Sequence, residues 1–240
     1  MPRFFCTDID DSYIHITGDD AHHISRVLRL RKGDPLVVCD GNGTDYSAAI
    51  LDISPQEIRL AITGAAPTLS EPGLKVTLYQ GMPKGDKMDW IIQKTVELGV
   101  SHIVPVITER SIARPDSAKA AKKQERWQKI AAEAAGQSGR GVIPVVEAPV
   151  SWKQMCDRVS PEETVVFYEG GGAPLPSLVG RDRTDLAVII GPEGGFSAEE
   201  ITALTEMGVK TATLGPRILR CETAPLAALS VIMSLSGNME

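Results

Sequence analysis

Two apolar runs near the end of the chain are each cut off by a Gly-Pro pair. That repetition constrains the fold more than any other feature of the sequence. Val188-Ile189-Ile190 reads as a fully buried strand. Gly191-Pro192-Glu193-Gly194-Gly195 cannot continue it, because Pro192 has no N–H to donate and the glycines favour unusual backbone angles. Ser197 and Glu200 have the spacing of a capping box, ahead of Ile201, Leu204 and Met207 on one helical face, with Gly208 as the stop. The second unit repeats the plan. Thr211 to Leu214 is a short strand, Gly215-Pro216 breaks it, and a helix starts near Thr223 with Pro225 in its first turn. Two such units in succession bring two loops to one carboxyl edge of a sheet, where open α/β folds bind ligands.

A chain of 240 residues makes one large or two modest domains. A net charge of −6 excludes a wholly basic nucleic-acid coat protein and leaves room for a local basic patch. Cys6, Cys39, Cys156 and Cys221 are scattered, and with 4 histidines no zinc-ligand spacing arises. No metal is expected, and reduced thiols suit a cytoplasmic protein. The start, Met1-Pro2-Arg3-Phe4-Phe5, lacks the apolar core of a signal peptide. No apolar stretch is long enough to span a membrane, so no membrane partner is expected.

In chain order, the first part is β-rich. Arg3 to Thr7, Tyr13 to Thr17 and Glu57 to Thr63 are strand candidates, and Asp40-Gly41-Asn42-Gly43 joins Leu36–Cys39 to Asp45–Ile53 as a hairpin. Short strands with close turns suggest a small barrel. One helix, from Asp19 to Leu30, interrupts them, and from His22 to Lys32 there is no acidic residue. His23, Arg26, Arg29, Arg31 and Lys32 read either as a solvated face or as a patch that grips RNA phosphates. Their place beside a small barrel in an acidic chain favours the patch. Thr63 to Gly73 has the composition of a linker. Beyond it strands and helices alternate: strand Lys75–Gln80, helix Lys87–Val100, strand His102–Thr108, helix Gln124–Gly136, strands Val142–Val146 and Thr164–Tyr168. That order implies a mainly parallel sheet covered by helices.

The loop from Gly191 to Gly195 is either a tight turn and nothing more, or a cradle whose N–H groups hold a polar ligand. It is neither a P-loop nor a dinucleotide fingerprint. Gly170-Gly171-Gly172 is a third loop of this kind. Arg217, Arg220 and Glu222 are framed by apolar residues in the last loop. Lys84, Lys87, Glu133, Gln137 and Arg140 form a second polar set.

The stretches GPEGGFSAEE and LGPRILRCETAPLAAL, with KGDKMDWIIQKTVELGV and RWQKIAAEAAGQSGR upstream, resemble the RsmE family. These are SPOUT-class, S-adenosylmethionine-dependent methyltransferases acting on N3 of a uridine in small-subunit (16S) ribosomal RNA. HHISRVLRLRKGDPLVVCDGNG resembles the family's PUA-like RNA-binding barrel. The resemblance covers nearly the whole chain. One departure is visible: Cys221 stands where the family more often has threonine, a stronger hydrogen-bonding group.

The resemblance implies an α/β protein with a PUA-like β-barrel over residues 1–68 and a SPOUT domain over 73–240. The SPOUT domain has a parallel sheet and a deep trefoil knot, which ordinary connectivity rules would reject. It also implies a homodimer and a bent S-adenosylmethionine held mainly by backbone groups. The implied cofactor loops hold Tyr168 and Glu169, then Ile190, Gly191, Pro192, Glu193, Gly194 and Gly195. The last loop adds Leu214, Gly215, Ile218 and Leu219, with Thr223 and Ala224 at the start of the final helix. Uracil N3 is a poor nucleophile until it loses its proton, so a base or a cation must stand near it. Arg140 and Arg220 are candidates for holding the anion, and Glu222 for the base. Lys84 and Lys87 join the basic run as RNA contacts, with ribosomal RNA or the small subunit as partner. A non-catalytic RNA-binding or ribosome-assembly factor keeping this fold is the alternative.

Overall fold

In the computed structural model, which describes residues 3–240, the turn after Cys39 joins two antiparallel strands as its sequence demands. The Asp40 carboxylate accepts from the N–H groups of Asn42 at 2.7 Å and Thr44 at 3.0 Å, closing the loop locally. The strands of this first unit are β1 (Arg3–Phe5), β2 (Tyr13–Thr17), β3 (Pro35–Cys39), β4 (Thr44–Ile53) and β5 (Glu57–Pro67). They form one mixed sheet in the order β1-β3-β4-β5-β2, with β1 parallel to β3 and the other pairs antiparallel. Alternation buries one face: Ile14, Ile16, Leu36, Val38, Ile50, Ile58 and Leu60 form its core. Met1 and Pro2, with which the expected first domain begins, lie outside the described residues.

Two expectations for this first unit need correction. The helix from Asp19 to Leu30 is a short α1 (Gly18–His22) that widens into a π turn over His23–Val27. Leu28 N–H reaches back to the His23 carbonyl at 2.9 Å, five residues away, and Arg29 then adopts φ +54. This widening has no simple sequence signature. The stretch from Thr63 is not all linker, since β5 runs on to Pro67, paired with Thr44.

The first compact unit comprises residues 3–71 with Ala135–Ile143, and the second Pro72–Ala134 with Pro144–Glu240. The second holds an eight-stranded sheet whose every pairing is parallel. Its elements are β6 (Lys75–Gly81), α2 (Lys87–Glu97), β7 (His102–Ile107), α3 (Ser117–Gln137), β8 (Val145–Val146), β9 (Val150–Ser151), α4 (Trp152–Cys156), β10 (Thr164–Phe167), β11 (Ala173–Pro174), β12 (Asp185–Ile190), α5 (Ala198–Glu206), β13 (Lys210–Thr213) and α6 (Ala224–Leu235). The order is β11-β13-β10-β12-β6-β7-β8, with β9 pairing β7. α2 buries Met88, Ile91, Ile92 and Val96 along one face, as its spacing requires. α3 starts earlier than expected because Asp116 accepts from Lys119 N–H at 2.9 Å, a side-chain cap. No helix among the described residues is long and apolar enough to cross a membrane.

Candidate active site

β10, β12 and β13 are neighbours and parallel, so the loops that follow them leave the sheet at one edge. The loop after β12 is held at several points. Gln80 Nε2 donates to the Gly191 carbonyl at 3.3 Å, Arg110 Nη1 to the Gly194 carbonyl at 3.0 Å, and Gly195 N–H to the Pro192 carbonyl at 2.9 Å. Gly81 is dictated by space and Gly195 by its backbone angle. A Cβ on Gly81 would lie 2.5 Å from Pro192 Cδ, and one on Gly195 would lie 2.5 Å from a Glu169 carboxylate oxygen. Gly195 also has φ +65, a region costly for any side chain.

The start of α5 fixes the far side of the loop. Ser197 Oγ accepts from Glu200 N–H at 3.3 Å, and the Glu200 carboxylate accepts from Ser197 N–H at 3.0 Å. This is the capping box its sequence spells. The other Glu200 oxygen accepts from Glu109 N–H at 2.8 Å, so the same buried carboxylate ties in the loop after β7. In the last loop Thr213 Oγ1 bonds Gly215 at 3.2 Å, and the Arg220 carbonyl accepts from Thr223 and Ala224 as α6 begins.

The three loops surround a cleft of about 750 Å³, within the range of small-molecule sites. Tyr168 and Glu169 line it, as do Ile190, Gly191, Pro192, Glu193, Gly194 and Gly195. So do Leu214, Gly215, Ile218, Leu219, Arg220 and Ala224. Thr223 is not among the lining residues and stands at the residue before the first turn of α6, with no capping bond from its side chain. Sequence reasoning missed Phe167, Phe196, Thr213 and Cys221 as lining residues. All four directly adjoin the loop segments, and adjacency was the only signal that could have found them. Ile218 is 85% exposed at the cleft, an unusual state for a large apolar side chain.

Charge gathers where Lys87 and Glu193, both lining the cleft, meet Glu222, which is not among its lining residues. Lys87 Nζ lies 3.1 Å from Glu193 Oε1 and 3.1 Å from Glu222 Oε2. These two bonds hold Lys87 above the usual lysine range. Partial burial works to raise both carboxyls, but hydrogen bonds outweigh it and both lie below the usual carboxylate range. For Glu193 the donors include the Lys84 and Lys87 groups, and for Glu222 the Cys221 thiol and Lys87. The Cys221 thiol donates to Glu222 at 3.2 Å. Burial, then that bond and the Glu193 charge, push the thiol up to about 12, so it stays protonated at neutral pH. The side chain of Lys84 stands on an exposed residue, and its backbone N–H donates to Glu193 at 3.1 Å.

The remaining candidates lie in the first unit. His23, Arg26, Arg29, Arg31 and Lys32 are all exposed, with His23 edge-on to Phe4 at 6.0 Å. Arg140 is buried and donates to the Glu71 carboxylate at 2.8 and 3.3 Å. Glu71 also accepts from Gly141 and Val142 N–H at 2.8 and 3.1 Å. Burial alone would raise the Glu71 carboxyl. Arg140 and the two backbone donors overcome that and hold it below the usual range. Among the described residues no group of three or more His, Cys, Asp or Glu is arranged to hold a metal.

A parallel sheet with such a cleft stands in one chain with a five-stranded mixed sheet. Residues 70–233 match the family described as RNA methyltransferase domain, and residues 16–63 the RNA methyltransferase PUA domain. The chain is 39% identical to ribosomal RNA small subunit methyltransferase E of Bacillus subtilis, covering 90% of this chain and 88% of that one. The Synechocystis protein of the same name is 34% identical over 95% and 75% of the two chains. The crystal structure of ribosomal RNA small subunit methyltransferase E from Neisseria gonorrhoeae, bound to S-adenosyl methionine, superposes with a TM-score of 0.88 at 33% identity, covering 98% of each chain. The chain belongs to the ribosomal RNA small subunit methyltransferase E family.

Proposed function

We propose that this protein transfers a methyl group from S-adenosylmethionine to N3 of one uridine in 16S ribosomal RNA. The observation that carries the reading is the convergence of three strand-end loops on a single cleft at the carboxyl edge of a parallel sheet. The cleft fits the cofactor chemically. Ile190, Leu214 and Leu219 offer apolar walls, while Glu169 and Glu193 offer negative charge to a ligand bearing ammonium and sulfonium groups. Tyr168, Glu169, residues 190–195, Leu214, Gly215, Ile218, Leu219, Thr223 and Ala224 are the proposed cofactor residues. Thr223 acts through the start of α6.

When bound, S-adenosylmethionine supplies an electrophilic methyl carbon. The protein must supply a nucleophile by removing the N3 proton. Glu222 is ionised across neutral pH because its carboxyl is held low, so it is ready to accept a proton and only weakly basic. A weak base needs help, and the exposed Arg220 at the cleft provides it by holding the uracil anion as charge develops. Arg140, whose charge is matched by Glu71, is assigned to holding residues 135–143 in the first unit, so the anion rests on Arg220. The cleft walls would hold the cofactor, whose methyl carbon must be kept from water and in line with N3.

The rest of the assembly is proposed with it. Residues 1–68 form a PUA-like barrel that grips RNA phosphates through the basic run, and residues 73–240 form a SPOUT domain with a trefoil knot through its last loops. The apolar α6, whose Val231 is 40% exposed, supports a twofold dimer. The cytoplasm, where ribosomes are assembled, is its place of action. The test is methyl transfer from labelled S-adenosylmethionine to small-subunit RNA from a strain lacking the gene, with the product nucleoside read by mass spectrometry. Absence of 3-methyluridine would overturn the reading, and a stable complex without methylation would favour the assembly factor.

A further inference from the structure

Lys87 is the first residue of α2, where the helix dipole disfavours a cation. Its placement there is offset by what faces it. The ammonium has three donors, and three acceptors surround it: Glu193 Oε1 at 3.1 Å, Glu222 Oε2 at 3.1 Å and Cys221 Sγ at 3.9 Å. Glu193 belongs to the loop after β12, and Glu222 to the segment leading into α6. Each carboxylate has a further donor, Glu193 the Lys84 N–H at 3.1 Å, from the turn before α2, and Glu222 the thiol of its neighbour Cys221 at 3.2 Å. The side chains of Lys87, Glu193 and Glu222 are 33, 26 and 24% exposed, so the centre sits at the rim of the cleft rather than in the core.

We propose that Lys87 is a positioning residue: its ammonium clasps the loop after β12 to the segment before α6 and so keeps the cleft shut on its ligand. This deepens the methyltransferase reading and rests on it for the identity of that ligand. It also removes Lys87 from the RNA contacts expected from sequence, because its donors are already turned toward acceptors of its own chain. Without the ammonium, two carboxylates would face each other across the cleft rim, and the loops would part. With it, the cluster of Lys87, Glu193 and Glu222 carries one net negative charge in place of two.

The experiment uses the full chain as Lys87→Met, as Lys87→Met/Glu222→Gln, and unaltered. Hydrogen exchange of residues 191–195 and 214–222 is followed without ligand. Lys87→Met speeds exchange in both segments while the rest of the sheet is unchanged. The double variant, relieved of the repulsion, moves back toward the original rate. Calorimetry with S-adenosylmethionine gives an affinity lower by about tenfold for Lys87→Met, the scale of a coupled charge pair, and partial recovery in the double variant. Unchanged exchange in either loop overturns the clasp, whether or not the cofactor binds. If the unaltered protein fails to bind S-adenosylmethionine, the methyltransferase reading falls while the exchange rates still decide the clasp. RNA binding across a salt series completes the test. An unaltered salt slope is expected, and a slope shallower by about one unit would make Lys87 a phosphate contact and overturn the proposal.

Discussion

The first unit holds Glu71 against Arg140, and the second holds Glu193 and Glu222 against Lys87. The charges are alike and the surroundings are not. The Arg140 side chain is 4% exposed, and its carboxylate partner, 21% exposed, takes two further backbone N–H groups, so the cation is dry and the carboxylate well partnered. Lys87 is one-third exposed and bridges two loops that carry a binding cleft. A buried, saturated pair is costly to break because it strands a charge. A rim pair contributes little to stability and much to which loop geometry prevails. The difference teaches that the sign pattern of a cluster says less about its task than the exposure of its members and the mobility of what they join.

The sharpest way to break this contrast is Glu71→Ala. It leaves the Arg140 guanidinium buried without its carboxylate, and the expected loss is about 3 kcal/mol, read by urea unfolding. A loss well under about 1 kcal/mol, the range of an exposed pair, would make the two centres equivalent. Next in size is Gly195→Val, on the cleft side. The new side chain meets the Glu169 carboxylate and must adopt φ +65. S-adenosylmethionine affinity should fall on the order of tenfold or more, since left-handed strain alone costs roughly 1–2 kcal/mol. Normal calorimetry on a folded variant would remove this loop from the site.

Acid provides a smaller test of the same comparison. Glu71 has its folded-state carboxyl below the ordinary value. The stability it contributes is therefore complete above the ordinary carboxylate range and is lost as pH falls through the lowered value. Unfolding free energies measured from neutral pH downward should decline on the acid side, and Glu71→Gln should flatten part of that decline. An acid limb identical in the variant would contradict a role for Glu71 ionisation. The smallest effect on stability, within about 0.5 kcal/mol, is expected from Arg29→Ala/Arg31→Ala, both exposed. That variant should instead weaken RNA binding and lower the log–log salt slope by roughly one unit per lost contact, with cofactor affinity intact. Unchanged RNA binding would return the run to a solvated face.

What could be read from sequence follows from how far apart the partners lie. Ser197 and Glu200 are close neighbours, and their box forms as spelled. The glycine loops announced a break and a cradle because backbone geometry is a local property. The parallel order of the second sheet was implied by strands alternating with helices. Arg140 and Glu71 are 69 residues apart, and nothing in either neighbourhood names the other. From sequence, Arg140 therefore stands as a candidate for holding the anion, with no partner named for it. Lys87 stands among the RNA contacts for the same reason. The π turn at His23–Val27 escaped notice because its residues are as compatible with an ordinary helix. Thr63–Pro67 looked like linker by composition, and cross-strand pairing with β4 overrode it.

Glu200 carries a kinetic consequence. Its bond to Ser197 closes across three residues, and its bond to Glu109 across 91. The first can form in the time a helix nucleates, whereas the second must wait for distant chain segments to meet. The start of α5 is thus shaped before the loop after β7 arrives, and one carboxylate oxygen stands ready as that loop's docking point. The late bond belongs to the descent from the folding barrier, so weakening it should quicken unfolding and leave the refolding rate nearly unmoved.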